Sequence, residues 1–115
     1  MGNDKRTLGI TKANQGALQK LVQNGQFASE LDAAKFAMAY AARNGVAEGR
    51  AEGADTKWNV GSVDPAGDLR EMVLSLYPES DQPYRLIEHL MNHGIQELAG
   101  GSETPDIYGV LFSSK

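Results

Sequence analysis

The chain has 115 residues, of which 41% are hydrophobic and 23% are charged, and its formal net charge is −4. This length is enough for one compact domain and excludes two full-sized ones. The lack of cysteine excludes disulfide frameworks, cysteine-based zinc sites, iron–sulfur clusters and thiol nucleophiles. No apolar run approaches the ~20 residues of a membrane span, and the first residues contain no apolar signal core, so we expect a cytoplasmic protein without membrane contact.

Charge is distributed unevenly along the chain. Residues 1–45 contain six basic and three acidic side chains, whereas residues 46–115 contain five basic and twelve acidic ones. A basic first part and an acidic second part favour a protein whose N-terminal part faces a polyanion. A chance distribution of so few charges fits the same numbers.

The first predicted element is a short strand over Lys5–Thr11. Leu8 and Ile10 alternate there with polar or small residues, which is the period of a strand. Two apolar positions make a weak strand, and Gly9 weakens it further. Such a strand needs a partner, either later in the chain or in a second copy.

Two amphipathic helices are predicted next. The first has Thr11 as its N-cap and ends at Asn24-Gly25, where glycine can adopt the left-handed conformation. The second begins at Ser29, with Asp32 at the spacing of a capping box, and ends at Gly45. Its alanine-rich composition predicts close approach of neighbouring elements.

The middle of the chain predicts a linker followed by a new set of elements. Residues 46–56 are Gly-, Ala- and Glu-rich, as in a loop or linker. Residues 57–63 contain Trp58 and Val60 in alternation, which indicates a possible short strand. Asp64 then caps a helix with Pro65 in its first turn, and Pro78 closes it.

The longest apolar stripe runs from Ile87 to Leu98 and predicts a helix that Gly100-Gly101 ends. Gly94 lies on its apolar face, which predicts close contact with another backbone. Residues 107–112 are apolar and predict a terminal strand. The expected fold is therefore mainly α with one or two short strands: an N-terminal strand and two helices, then a short strand, two helices and a terminal strand.

Residues 5–45 resemble a ribbon-helix-helix module of the Arc-type repressor family. The resemblance rests on the strand, on apolar positions of both helices and on the turn between them: Thr7–Thr11, Leu18, Leu21-Val22, Gly25–Ser29, Asp32-Ala33 and the stripe to Ala41. It covers about a third of the chain. It implies a dimerisation module over 5–45, a linker over 46–56 and a small α-rich half over 57–112 that packs on the module.

The resemblance also implies roles for individual residues. In this family two chains intertwine and their strands pair as an antiparallel ribbon, whose outer face reads base edges in the major groove. The N–H groups at the start of the second helix meet a phosphate. The implied DNA contacts are Lys5, Arg6, Thr7, Thr11, Lys12 and Ser29. The implied dimer core is Leu8, Ile10, Leu21, Phe36, Ala37 and Tyr40.

The sequence thus predicts a homodimeric DNA-binding protein that acts as a transcriptional repressor or autoregulator. The alternative is a non-catalytic oligomeric adaptor or accessory subunit with the same fold and no DNA binding. Gly9 in place of a base-reading side chain, and Glu30 and Asp32 at the phosphate-facing helix end, favour this alternative. In either case the acidic second half offers a surface for a protein partner.

The remaining motifs predict neither an enzyme nor a cofactor. His89 and His93 have the i, i+4 spacing of a metal pair, with Glu88 and Glu97 nearby, but Leu90 stands where a zincin motif has glutamate. A solvated polar helix face explains the histidines better than a metal site. The chain contains no Gly-x-Ser-x-Gly, no phosphate-binding loop and no dinucleotide fingerprint.

Overall fold

The computed structural model of the protein describes residues 4–99, and the structural statements below refer to this part of the chain. The elements of this part, in chain order, are β1 (Thr7–Thr11), α1 (Lys12–Gln23), α2 (Glu30–Arg43), β2 (Ala54–Asn59), α3 (Val60–Val63), α4 (Asp68–Leu76) and α5 (Pro83–Ala99). The protein is mainly helical with one small antiparallel sheet, which confirms the predicted fold class at this level. The predicted terminal strand over 107–112 lies outside the described residues.

The partner of the first strand lies later in the same chain. β1 and β2 pair antiparallel, with Leu8 opposite Trp58, Gly9 opposite Thr56 and an irregularity between Leu8 and Gly9. A Cβ on Gly9 would lie 2.5 Å from the carbonyl oxygen of Asp55. Glycine is therefore required here because it lets the two backbones approach closely.

α5 is the central helix of the core. It packs most extensively against α2 and also contacts α1, α4 and β1. A Cβ on Gly94 would lie 2.0 Å from the carbonyl oxygen of Ala37, so the close backbone contact predicted at Gly94 is confirmed. The buried residues of α2 are mostly small: Ala33, Ala34, Ala37 and Ala41, together with Met38.

Most of the predicted helix ends in the first half are confirmed. The Ser29 hydroxyl accepts a hydrogen bond from the Asp32 N–H at 3.1 Å. Gly25 and Gly45 have positive φ values just after α1 and α2. Thr11 occupies the N-cap position of α1, but its hydroxyl accepts no hydrogen bond from the first turn, so the side-chain cap predicted there is wrong.

The strand predicted over 57–63 begins and ends earlier than expected. β2 covers Ala54–Asn59, and Val60–Val63 forms the single turn α3. The last part of the predicted linker is therefore a strand. Ala54, Asp55 and Thr56 lack apolar alternation, so their strand conformation depends on pairing with β1 and not on a pattern of their own.

The prediction that Asp64 lies directly before α4 is wrong: Asp64 lies four residues before Asp68, the first residue of the helix, and caps the helix from there. The helix starts at Asp68 behind Gly67, which has φ +78°, and ends at Leu76. The Asp64 carboxylate accepts hydrogen bonds from the N–H groups of Leu69 and Arg70 at 2.9 and 3.0 Å. The first turn of α4 thereby gains the partners that a helix start lacks.

The Tyr84 hydroxyl also donates to Asp64, at 2.9 Å, which joins α4 to α5. Burial alone would raise the pKa of Asp64, but the hydrogen bonds from Leu69, Arg70 and Tyr84 outweigh burial and lower it. Burial and the bond to the Asp64 carboxylate raise the pKa of Tyr84 to about 12. Asp4 caps α5 in the same manner, since its carboxylate accepts from the N–H groups of Tyr84 and Arg85.

Candidate functional site

Both edges of β1 have partners within the chain. β2 lies along one edge. Along the other, Glu88 Oε2 accepts from the Gly9 N–H at 2.8 Å and Asn92 Oδ1 accepts from the Thr11 N–H at 2.9 Å. Asn92 Nδ2 donates to the Gly9 carbonyl at 3.0 Å. An uncovered strand edge is a template for pairing with another chain, and α5 covers this one with side chains.

These side chains belong to a buried polar network. Glu88 is 1% exposed and Asn92 is 5% exposed. Asn14 Nδ2 donates to both oxygens of Asn92, at 3.1 Å each. Lys5 Nζ lies 3.1 Å from Glu88 Oε2 and supplies the opposite charge that a buried carboxylate needs.

Sequence reasoning missed this network. Glu88 and Asn92 are four residues apart on the flank of the apolar stripe of α5, so both lie on one helix face. That spacing, in a helix whose neighbouring positions are apolar, is the signal that could have indicated buried polar residues. Their partners on β1 are backbone groups, which no side-chain pattern reveals.

The residues predicted for a dimer core divide into two groups. Leu8, Ile10, Leu21 and Ala37 are buried within the single chain, whereas Phe36 and Tyr40 are only partly buried. Their place in a dimer interface stays a prediction. The intertwined dimer that the resemblance implies would require β1 to exchange an intrachain partner for the β1 strand of a second copy.

The predicted DNA contacts lie around the β1–β2 ribbon. Arg6 is exposed directly before β1, and the hydroxyls of Thr7 and Thr56 lie 3.4 Å apart on the exposed face. Thr11 and Lys12 follow at the other end of β1, where α1 begins. The start of α2, with Ser29, is tied to the ribbon because Glu30 Oε1 lies 2.7 Å from Lys57 Nζ of β2.

The charges of these residues are not equally available. Lys5 is predicted to contact DNA, but its ammonium forms an ion pair with Glu88. The ammonium of Lys57 forms an ion pair with Glu30. Within residues 4–99, neither Arg6 nor Lys12 lies within ion-pair distance of a carboxylate. Among residues 4–99, the unpaired cations at the ribbon are therefore Arg6 and Lys12, whereas the ammonium of Lys5 is paired with Glu88.

The two histidines lie one turn apart on α5, with ring centroids 5.9 Å apart. His89 Nε2 donates to the Ala47 carbonyl at 3.2 Å. Burial lowers the pKa of His89; the hydrogen bond to Ala47 opposes this effect and the neighbouring His93 reinforces it. Within the part of the chain that the structure describes, no three His, Asp or Glu side chains are arranged to hold a metal ion.

None of the helices between residues 4 and 99 combines the length and the apolar character needed to cross a membrane. The chain was compared with protein-family models, with curated proteins and with solved structures, and no match was found in any of the three.

Proposed function

We propose that this protein binds double-stranded DNA with the exposed face of the β1–β2 ribbon in the major groove. The expected biological role is that of a homodimeric transcriptional repressor or autoregulator. One observation carries the proposal: the chain presents a two-stranded antiparallel ribbon with a polar outer face, with the unpaired cations Arg6 and Lys12 near its ends. A two-stranded ribbon fits the width of the major groove.

The outer face supplies chemistry for both positioning and reading. Arg6 and Lys12 can neutralise phosphates on either side of the groove. The adjacent hydroxyls of Thr7 and Thr56 can donate to or accept from base edges. Gly9, which lies opposite Thr56, brings no side chain. This ribbon would therefore discriminate bases with few contacts, and much of its affinity would come from phosphates.

The test is binding to random duplex DNA, measured by fluorescence anisotropy from low to physiological salt. Each phosphate contact should steepen the fall of log affinity with log salt by about 0.9. Arg6→Ala and Lys12→Ala should each weaken binding and reduce that slope by about 0.9. No binding at the lowest salt would overturn the proposal.

Arg43→Ala is the matched control, because it removes the same charge from an exposed position at the far end of α2. The start of α2 lies at the ribbon, and a helix of this length places Arg43 about 20 Å away. An equal effect of Arg43→Ala and Arg6→Ala would show that DNA binding depends on the overall charge of the protein and not on the ribbon.

The second candidate is the oligomeric adaptor without DNA binding. The ion pairs of Lys5 and Lys57 with carboxylates favour this function, because they neutralise two of the cations nearest the ribbon. It predicts a stable oligomer in light scattering together with no salt-sensitive affinity for duplex DNA. A monomer that binds DNA with a steep salt dependence would exclude it.

A further inference from the structure

A cleft of about 240 Å³ lies between the start of α1, one face of α5 and the loop that follows α2. Its polar lining residues are Thr11, Asn14, Arg50, His89, Asn92, His93 and Gln96. Among the described residues, none that lines it is acidic. We propose that this cleft is an oxyanion site that binds a phosphate group.

The side chains around the cleft favour an anion. Arg50 brings a permanent positive charge and a guanidinium fork that matches the oxygens of a phosphate. His93 adds an imidazole and the exposed Gln96 amide adds N–H donors, whereas the Asn14 amide already donates to Asn92 and His89 Nε2 to the Ala47 carbonyl. The nearest carboxylate that competes for Arg50 is Glu52, whose Oε2 lies 3.8 Å from Arg50 Nε in an exposed pair. Such exposed pairs are weak.

His93 supplies an independent sign of a missing partner. Its Nδ1 atom is buried and has no hydrogen-bond partner among residues 4–99. Buried polar atoms in folded proteins are nearly always paired, and because this nitrogen is closed off from solvent, an anion in the cleft would reach it only after the His93 ring turns. His89, by contrast, is already held by the Ala47 carbonyl.

The start of α1 contributes a further favourable field. Its N-cap residue Thr11 makes no side-chain hydrogen bond to the first turn, and Ala13 and Asn14 of that turn line the cleft. The N-terminal end of a helix carries a partial positive charge and unsatisfied N–H groups. This end therefore adds to the attraction that the cationic side chains exert.

The loop that carries Arg50 is held in place. The Tyr77 hydroxyl donates to the Val46 carbonyl, and His89 Nε2 donates to that of Ala47. A Cβ on Gly49 would lie 2.8 Å from the His89 ring, so the loop lies directly against α5. Arg50 thus reaches the cleft from an anchored loop, which lowers the entropy that binding would cost.

The size of the cleft selects the ligand. Sites for drug-sized molecules are usually about 300–1,000 Å³, and this cleft is smaller and open on one side. It has room for a phosphate group, either free or as the end of a larger molecule. The phosphate could belong to a small molecule or to the DNA backbone.

The experiment is a titration of ¹⁵N-labelled full-length protein with inorganic phosphate, followed by NMR, with chloride at equal ionic strength as the reference salt. We expect saturable shifts at the first turn of α1 and on α5 around His89 and His93. Arg50→Ala should weaken phosphate binding by about tenfold, as expected for the loss of a charge-assisted hydrogen bond. Arg50 lies in an exposed loop, so the variant should fold.

Two further variants sharpen the result. Glu52→Gln removes the competitor of Arg50 and should tighten phosphate binding by about twofold. Arg70→Ala removes an exposed arginine of α4 that does not line the cleft, and it should leave the affinity unchanged. Shifts that are linear, that chloride reproduces, or that Arg50→Ala and Arg70→Ala affect equally would overturn the proposal.

Two additional ligands distinguish the sources of the phosphate. Competition by a nucleoside monophosphate, with no effect of duplex DNA, assigns the cleft to a small phosphorylated molecule. Competition by a DNA duplex that Arg50→Ala abolishes assigns the cleft to a phosphate of the DNA backbone. The site does not rest on DNA binding through the ribbon: phosphate can bind here when DNA does not bind at all, and Arg6→Ala should not change phosphate affinity.

Discussion

The carboxylate of Glu88 accepts a hydrogen bond from the backbone N–H of Gly9 at 2.8 Å, across 79 residues of sequence. The same oxygen lies 3.1 Å from Lys5 Nζ. One buried side chain of α5 thus binds both a backbone N–H group at the edge of β1 and the ammonium of Lys5, which lies just before that strand. This contact fixes one edge of β1 against α5 within the chain.

Replacing Glu88 should therefore destabilise the fold strongly. Glu88→Ala leaves the Gly9 N–H buried without an acceptor and Lys5 without its counter-charge, and should lower the free energy of unfolding by about 2–3 kcal/mol. Glu88→Gln keeps an acceptor and should cost about half as much. Urea unfolding followed by circular dichroism measures both. Equal losses for the two variants would show that the whole effect comes from the charge of Glu88 and that the neutral acceptor kept by glutamine contributes nothing.

Asn92 provides a test of donor and acceptor roles. Asn92→Asp keeps the oxygen that accepts from Thr11 but loses the N–H that donates to the Gly9 carbonyl, and it places a second carboxylate beside Glu88. We expect a loss of about 2–4 kcal/mol in the free energy of unfolding at neutral pH. A loss below about 0.5 kcal/mol, the usual range for exposed sites, would contradict the buried network.

The helix contact at Gly94 predicts opposite effects for two glycine substitutions. Gly94→Ala forces a methyl group against the Ala37 carbonyl and should cost about 2–3 kcal/mol, as expected for overpacking. Gly16→Ala is the matched control, because a Cβ there meets no atom within 4 Å in the exposed middle of α1. It should raise stability by about 0.5–1 kcal/mol through helix propensity. Melting temperatures of the two variants should therefore move in opposite directions.

Stability should decline as pH falls below about 6.5. The pKa of His89 is lowered in the folded protein from 6.5, so the unfolded chain binds more protons in this range and is favoured by acid. His89→Gln should flatten the decline measured by urea unfolding between pH 7.5 and 5.

Asp64, whose pKa is lowered from 3.8, stabilises the fold above that pH and loses its contribution only below it. Asp64→Asn should consequently lower stability at every pH above 3.8 and alter the slope of the profile only below that pH.

The bond between Tyr84 and Asp64 should appear at alkaline pH. The raised pKa of Tyr84, about 12, means that its neutral form stabilises the fold up to pH 10 and that this contribution is lost as pH rises towards 12. Tyr84→Phe should lower the free energy of unfolding by about 1 kcal/mol at neutral pH and should remove this part of the alkaline dependence. An unchanged alkaline profile in Tyr84→Phe would contradict the assignment.

Helix starts and ends could be predicted because they depend on neighbouring residues. Ser29 and Asp32 form their cap three residues apart, and Gly25 and Gly45 end α1 and α2 where only glycine is favourable. Gly94 was correctly placed at a close contact because it interrupts an apolar face without ending the helix. The start of α4 was misplaced because Asp64 bonds to N–H groups five and six residues away, beyond the usual reach of a cap.

The candidate site could be predicted only in part. Arg6, Thr7 and Lys12 lie in or next to β1 in sequence, so their place beside a ribbon is a local property, and their contact with DNA stays a prediction. The role of Lys5 depends on Glu88, which is distant in sequence. The cleft escaped prediction for the same reason. Its wall combines Asn14, Arg50 and His93 from three separate segments, and no spacing rule connects them.

The sequence alone was enough to predict the longer helices α1, α2, α4 and α5 and their apolar faces, because helix periodicity and capping are local properties of the chain. Tertiary packing sets what β1 pairs with, which lysines are neutralised and which polar residues meet in one cleft. Residues 54–56 carry no strand pattern, and the partners of Glu88 and Asn92 are backbone groups about 80 residues away. Such long-range pairing follows from the packing of α5 on the rest of the chain, which no local pattern encodes.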